Sequence, residues 1–282
     1  MSLPGSLFAS QELGNVTGQL TDLSRLRARC PDCRTLTAVA LDEGEYECHS
    51  CGRAFGGALV RVPRAWGAGG EPMAEAAYLS LPYPEAGVVE ENALSEQNLA
   101  LACALPARPV VLGGCCCSHV GAVEGLATRY DRLGVVWFDA HGDLNTPDTS
   151  PSGNAWGMPL RMLLDSGTIS ASETVLVGAR NLDPPEHEFI GVSGPHTGEN
   201  GLAEALSAVD AVYVAFDCDV LDPDEEVVSF MPEVGGLTLV EALAIMKDVA
   251  SVKPVAGAGF SGLAPDPVNV PALTRACGAL GL

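Results

Sequence analysis

Basic residues are scarce in this chain. Its 282 residues include 15 Lys and Arg against 36 Asp and Glu, a formal charge of −21. The shortage is confined to residues 65–282, with eight basic and 29 acidic side chains, whereas residues 1–64 balance at seven of each. A surface this acidic repels nucleic acid and anionic membranes and suits cationic ligands or divalent metals. Long apolar runs are also missing. No stretch approaches the roughly 18–20 residues needed to span a bilayer. Met1 to Ser10 carries no basic residue ahead of its short apolar stretch, so a secretory leader is not expected and the reading is a cytoplasmic protein. Apolar residues reach 47% and charged ones only 18%, which excludes disorder as the main state. The length suits one large domain, or one domain with a small module.

Cysteine, by contrast, is plentiful at ten residues. In a reducing compartment that points to metal binding or catalysis rather than to disulfides. Four of the ten form a pattern. Two residues lie between Cys30 and Cys33, two lie between Cys48 and Cys51, and 14 residues separate the pairs. Two such turns present four thiolates at the corners of a tetrahedron, the arrangement Zn²⁺ prefers. The segment resembles a zinc ribbon, with Gly52 completing the second turn and His49 a bystander. A structural or interface role is expected for it rather than nucleic-acid binding. Cys115, Cys116 and Cys117 are consecutive, and Cys103, Cys218 and Cys277 are scattered.

Beyond a Pro- and Gly-rich stretch at Pro63 to Pro72, read as a linker or active-site loop, strands and helices alternate. Strands are expected at 109–114, 133–138, 174–179, 211–216 and 254–260. Helices are expected at 118–130, 156–165, 202–209, 239–250 and 269–280, with Thr238 and Glu241 at capping-box spacing. The strands are short apolar runs without alternation, as in a parallel sheet covered on both faces. Ligands of such sheets bind at the carboxyl ends of the strands. Two strand ends there carry acids: Asp139-Ala140-His141-Gly142-Asp143 and Asp217-Cys218-Asp219. Asp139, His141, Asp143, Asp217 and Asp219 converging from two strands would hold two divalent cations. Without metal, such buried carboxylates repel one another and their pKa values rise.

With these motifs the chain resembles the arginase/agmatinase/formiminoglutamase (ureohydrolase) family over about residues 59–282. WFDAHGDLNTPDTSPSGNAWGMP is similar to the family's metal and substrate loop, and AFDCDVLDP to its second metal motif. VLGGCCCSHVGA is similar to the GGDHS motif and VGARNLDPPE to the GLRDxDPxE segment. The resemblance implies a three-layer αβα fold with a mainly parallel sheet on residues 59–282, beside a small N-terminal zinc ribbon on residues 1–58. It implies two metal ions, usually Mn²⁺, held by Asp139, His141, Asp143, Asp217 and Asp219, with Asp139 and Asp217 bridging. Asp143 and His141 take the catalytic roles, and the metal pair generates a hydroxide that attacks a guanidine or amidine carbon. Asn145, Ser152 and Asn154 correspond to the loop that holds an amino-acid carboxylate, and Asp183 to the group that meets the α-amino nitrogen. A small-molecule substrate and a homo-oligomer follow from the same likeness.

Three positions depart from the family pattern. Cys116 stands where a metal-binding His belongs; a thiolate there favours softer ions such as Zn²⁺ or Fe²⁺. It would sit at a helix start, which favours ionisation of a thiol. His119, one helical turn along, is the competing ligand. Trp156 replaces a proton-shuttling His, and Ala264 replaces the Glu that grips a guanidinium. Two readings follow. The first is a binuclear hydrolase of a linear C–N bond in a small, amino-acid-like substrate, other than efficient arginine hydrolysis. The alternative is a catalytically degenerate metal-binding relative acting as an assembly or regulatory protein through its ribbon.

Overall fold

The computed structural model describes residues 27–28, 33, 35, 37–40, 45–52, 54–56, 58–225 and 227–282. Cys30 lies outside them. A small antiparallel sheet is formed, in order, by β1 (Arg27–Ala28), β2 (Ala38–Ala40), β3 (Glu45–Cys48) and β4 (Ala54–Gly56). From residue 58 onward a second sheet begins. Its strands are β5 (Ala58–Val62), β6 (Glu85–Val88), β7 (Pro109–Gly113), β8 (Leu133–Phe138), β9 (Thr174–Val177), β10 (His196–Thr197), β11 (Ala211–Asp217) and β12 (Val255–Ser261). They lie in the order β10-β9-β8-β11-β12-β7-β5-β6, and every pairing is parallel.

The helices are α1 (Glu71–Ala76), α2 (Leu94–Ala104), α3 (Ser118–Ala127), α4 (Pro159–Asp165), α5 (Pro184–Ser193), α6 (Leu202–Ala205), α7 (Leu239–Val252) and α8 (Asn269–Ala279). The period-two geometry of a strand sends neighbouring side chains to opposite faces. Here Val110, Leu112, Val136, Phe138, Val212 and Val214 join one apolar cluster with Leu243 and Met246 of α7 and Leu273 of α8. Val111, Val135, Trp137, Tyr213 and Ala215 join another with Leu101 of α2, Val123 of α3 and Leu160 of α4. That is the expected three-layer αβα architecture, and it explains why these strands read as unbroken apolar runs. Among the described residues, no helix is long and apolar enough to cross a membrane.

Some elements differ from the sequence expectation for local reasons. The helix expected at 156–165 is split into a 3₁₀ turn, Ala155–Gly157, and α4. Pro159 restarts it at N1, where the missing N–H costs nothing. The helix expected at 202–209 ends at Ala205, where the chain tightens into a turn with the Ser207 N–H on the Glu204 carbonyl at 3.2 Å. The capping box of α7 forms as expected, with the Glu241 N–H on Thr238 Oγ1 at 3.2 Å and the Thr238 N–H on Glu241 Oε2 at 2.8 Å. β5, β6, α1, α2 and α5 were not evident in the sequence pattern. The stretch Pro63 to Pro72 is a loop as far as Gly70, after which Pro72 sits in the first turn of α1.

The core contains a titratable group with a testable consequence. His119 is 0% exposed, and burial lowers its pKa to about 3. The folded state therefore refuses a proton that the unfolded chain accepts below about pH 6.5. This contribution is fully present above pH 6.5 and is lost as the pH falls toward 3, by about 5 kcal/mol in all. His119→Gln is expected to flatten the acid limb relative to the parent in pH-resolved denaturant titrations. Parallel limbs would contradict a neutral buried imidazole.

Candidate metal centre and its cavity

The carboxyl ends of four adjacent strands, β8, β11, β12 and β7, meet at one rim. Each delivers chemistry as it leaves the sheet: Cys116 after β7, Asp139 to Asp143 after β8, Asp217 to Asp219 from β11, and Ser261 from β12. Asp139, Asp143, Asp217 and Asp219 are all 6% exposed or less. One oxygen each from Asp139 and Asp143 and the Cys116 sulfur lie within 4.8 Å of one another, as do ligand atoms of Asp139, His141 and Asp219. Asp139 belongs to both groups, and Asp217 joins them through the Cys116 thiol, which donates to Asp217 Oδ2 at 2.8 Å.

Backbone and side-chain donors fix the carboxylates. Asp139 accepts from the Trp137 indole at 3.2 Å and the His141 N–H at 2.7 Å. Asp219 accepts from the Ala140 N–H at 3.0 Å, tying the two strand ends together. Asp217 accepts from the Asp219 N–H at 3.0 Å and from the Ser261 hydroxyl at 3.3 Å. His141 Nδ1 lies 3.3 Å from Asp139 Oδ1 and 3.0 Å from Asp219 Oδ2, and Nε2 lies 3.6 Å from Glu233 Oε1. His119 makes no approach of this kind. Its Nδ1 meets the Tyr213 hydroxyl at 3.0 Å and its Nε2 the Ser261 hydroxyl at 3.1 Å.

Asp143 is the exception to this order. Its Oδ2 is buried without a hydrogen-bond partner. Its φ is +54°, the one positive value at a non-glycine among the described residues. A carboxylate left unsatisfied on strained backbone is a cost that the surrounding fold sustains only for a use. The electrostatics agree. Burial, then the charges of Asp139 and Asp217, push Asp143 well above the carboxylate range. Burial and the Asp219 charge bring Asp217 up to about 7, and burial and Asp139 bring Asp219 up to about 6. Burial alone would lower His141, but hydrogen bonds to Asp139 and Asp219 outweigh it and lift the imidazole to about 12. All of these shifts express one need, for positive charge among four carboxylates, which divalent cations meet. The donor set of carboxylate oxygen, imidazole and thiolate fits such ions.

The thiol behaves differently from the sequence expectation. A helix start was expected to favour the Cys116 thiolate, yet burial and the charges of Asp143, Asp217 and Asp139 raise its pKa well above 9. The nearby acids overwhelm the helix dipole, whose influence is a fraction of a charge.

Above the rim lies a cavity of about 220 Å³, lined by the four aspartates, Cys116 and His141, and also by Asn145, Ser152, Asn154 and Asp183. All of the polar substrate-loop residues named from the sequence therefore reach it. Asn145 Nδ2 donates to Asp183 Oδ2 at 2.8 Å, and Asn154 Oδ1 accepts the Ala68 N–H at 3.0 Å. Trp156 forms one wall, 8% exposed and packed with Met73, Cys115 and Cys117. Ala264 lies outside the lining. Sequence reasoning missed Asn181, Met231 and Glu186, which also line the cavity. Glu186 accepts the Leu144 N–H at 2.9 Å and the Asp183 N–H at 2.9 Å, so it anchors the substrate loop to the start of α5. The Asp183-x-x-Glu186 spacing of a capping box was the signal available for it.

Comparison with known proteins agrees with this geometry. The arginase family profile matches residues 79–275. The arginase of Bacillus caldovelox is 34% identical over 201 residues, covering 60% of this chain and 67% of the relative. The arginase of Bacillus subtilis is 37% identical over 177 residues, covering 54% of this chain and 60% of the relative. The chain thus spans about 60 to 67% of the length of these two curated relatives. The crystal structure of the B. caldovelox enzyme superposes with a TM-score of 0.66 at 27% identity, covering 79% of this chain and 97% of that one. Formimidoylglutamase from B. subtilis, 18% identical with a TM-score of 0.64 and covering 80% of this chain and 87% of that one, shares the fold. With the profile matched across most of the α/β sheet and its metal-type rim, the chain belongs to the arginase family.

Proposed function

We propose that the protein is a cytoplasmic, homo-oligomeric binuclear-metal hydrolase that cleaves a linear C–N bond of a guanidine or amidine in a small, amino-acid-like substrate. The observation that carries this reading is the buried rim of Asp139, Asp143, Asp217 and Asp219 with Cys116 and His141, opening into a polar cavity. Cys116, Asp139, His141, Asp143, Asp217 and Asp219 would hold the two ions, with Asp139 and Asp217 shared between them. A bound divalent pair supplies Lewis-acid polarisation and acidifies water at neutral pH.

The chain's own groups do the rest. Asp143 turns a carboxylate with an unpartnered buried oxygen toward the centre and is the candidate proton acceptor in this reading. His141 Nε2 faces the Glu233 carboxylate at 3.6 Å, which favours a proton on that nitrogen and leaves Nδ1 for an ion. The indole of Trp156 cannot relay a proton as an imidazole would, and it screens one wall from water. Asn145, Ser152, Asn154 and Asp183 orient the amino-acid end of the substrate. The acidic lining favours a cationic reacting group. Ala264 lies outside the lining and carries no charge, and Glu186, the glutamate within it, is taken up by the Leu144 and Asp183 N–H groups, so arginine is not expected to be an efficient substrate.

The test is release of urea or ammonia from a panel of guanidino and amidino compounds by protein stripped with chelator and reloaded with Mn²⁺, Fe²⁺ or Zn²⁺. Metal-dependent release from at least one amino-acid-like compound is expected. Silence across the panel with both ions bound would support the assembly or regulatory role instead, which Trp156 and Ala264 favour.

Cys116 gives this reading a separate handle. Its sulfur faces Asp217 and Asp139, while both nitrogens of His119 are engaged by Tyr213 and Ser261. Cys116→His is expected to move metal preference toward Mn²⁺ in Mn²⁺/Zn²⁺ competition followed by elemental analysis. Cys116→Ala should weaken one ion, roughly 10–100-fold or more. Undiminished binding in Cys116→Ala together with loss in His119→Ala would reassign the ligand.

A further inference from the structure

Away from the cavity, the described residues hold one more group of side chains able to share a metal ion: Cys33, Cys48 and Cys51. Their sulfurs all lie within 4.8 Å of one another. Cys33 Sγ and Cys48 Sγ are 3.5 Å apart, too far for a covalent bond. Thiolates placed about 2.3 Å from a tetrahedral zinc lie about 3.8 Å from each other, so the spacing is that of ligands around one ion.

The local fold accounts for the convergence. Cys48 ends β3, where it pairs with Ala38 of β2. The chain then turns so tightly that the Gly52 N–H reaches the Cys48 carbonyl at 2.7 Å. Gly52 makes that possible with a φ of +73°, a conformation costly for other residues. The turn returns Cys51 to the side of Cys48, and Cys33 enters from the segment before β2. Hydroxyls lie against the sulfurs, Thr35 Oγ1 at 3.0 Å from Cys33 Sγ and Thr37 Oγ1 at 3.5 Å from Cys48 Sγ. Donors of this kind favour the thiolate and orient it toward a metal. Cys48 is 0% exposed and belongs to the apolar cluster that contains Ala58 and Val60 of β5. The thiol group therefore sits where the small sheet meets the core of the large one.

We propose that Cys33, Cys48 and Cys51 bind a thiophilic divalent cation, Zn²⁺, that is separate from the cavity ions and fastens the four-stranded sheet to the edge of the α/β core. Cys30, whose spacing to Cys33 repeats that of Cys48 to Cys51, lies outside the described residues. The ion supplies folding energy to a sheet of two- to four-residue strands, too small to bury a core of its own.

The experiment measures zinc in the full chain. Cys33→Ser and Cys51→Ser are each expected to lose about one zinc per chain, while the cavity keeps its ions. Co²⁺ loading provides a signature that a mere loss of packing would not move. With Cys116→Ala in the background to silence the cavity thiol, a thiolate-to-cobalt charge-transfer band should appear, and it should vanish on adding Cys33→Ser. Should the serine variants fold poorly, the unaltered protein still decides the matter. Titration with a mercurial thiol reagent should release about one zinc per chain, as Cys33, Cys48 and Cys51 are modified. Zinc content unchanged in both variants, or a disulfide between Cys33 and Cys48 in the purified parent, would overturn the proposal.

Discussion

Asp217→Asn is expected to weaken both cavity ions at once. The side chain stands at the end of β11, 6% exposed, with Oδ1 held by the Asp219 N–H and Oδ2 facing Cys116 and Ser261. The amide keeps the shape and removes a charge shared by both ions. Removing only an outer hydrogen-bond partner of a ligand costs about 10–100-fold in metal affinity; removing a shared ligand charge should cost at least the upper figure at each ion. Loss of the pair should lower kcat/KM by at least about 10³-fold, or roughly 4 kcal/mol. Asp143→Asn should affect mainly one ion. Stability without metal should change in the other direction. Burial and the Asp219 charge raise Asp217 to about 7. Its ionisation therefore opposes folding as the pH rises through that value, because the folded state holds the proton more tightly than the unfolded chain. At pH 8 the metal-free Asn variant should melt no lower than the metal-free parent. Calorimetric titration reads the first effect and scanning calorimetry the second. Two full-affinity sites after Asp217→Asn would show that the carboxylate does not bridge.

Gly262→Ala is expected to damage the same centre from the backbone side. Gly262 follows β12 with a φ of +67°, and a Cβ built there would run into the Asp217 carboxylate. Two costs combine: about 1–2 kcal/mol for a side chain in the left-handed region, and displacement of a buried carboxylate held by three donors. The sum should be roughly 3 kcal/mol or more, together with loss of metal affinity. Gly167→Ala is the control, since Gly167 has a φ of +71° and nothing within 4 Å of its Cβ position. It should cost only the backbone term and leave metal binding intact. Equal effects of the two substitutions on stability and metal content would show that the Asp217 position does not depend on this approach.

The parts of the structure that could be read from sequence are those in which one local rule dominates. β8 and β11 are runs buried on both faces, and each ends in alternating acids, so strand, rim and candidate ligands appear in one stretch of text. α7 announces itself through Thr238 and Glu241. β5 stayed hidden because its five residues include Arg61, a residue seldom found in a buried strand. Arg61 is 7% exposed and is satisfied only by distant partners: the Glu85 carboxylate at 2.9 Å and the carbonyls of Ala77 and Leu79. No local pattern reveals such bonds. α5 was obscured by Pro184 and Pro185, which read as a breaker but occupy the first turn, where proline is tolerated. The raised pKa of the Cys116 thiol has a similar origin. Its helix is visible in sequence, while the acids that raise its pKa arrive from β8 and β11, 23 and 101 residues away. Asn181 and Met231 reach the cavity by loops and carry no pattern that would single them out.

Anomalous diffraction from crystals of the full chain, stripped and then reloaded with Mn²⁺, tests the binuclear centre most directly. Two peaks are expected within the cavity, one among Cys116, Asp139, Asp143 and Asp217, the other among His141, Asp139, Asp217 and Asp219. A single peak there, or none, would contradict it.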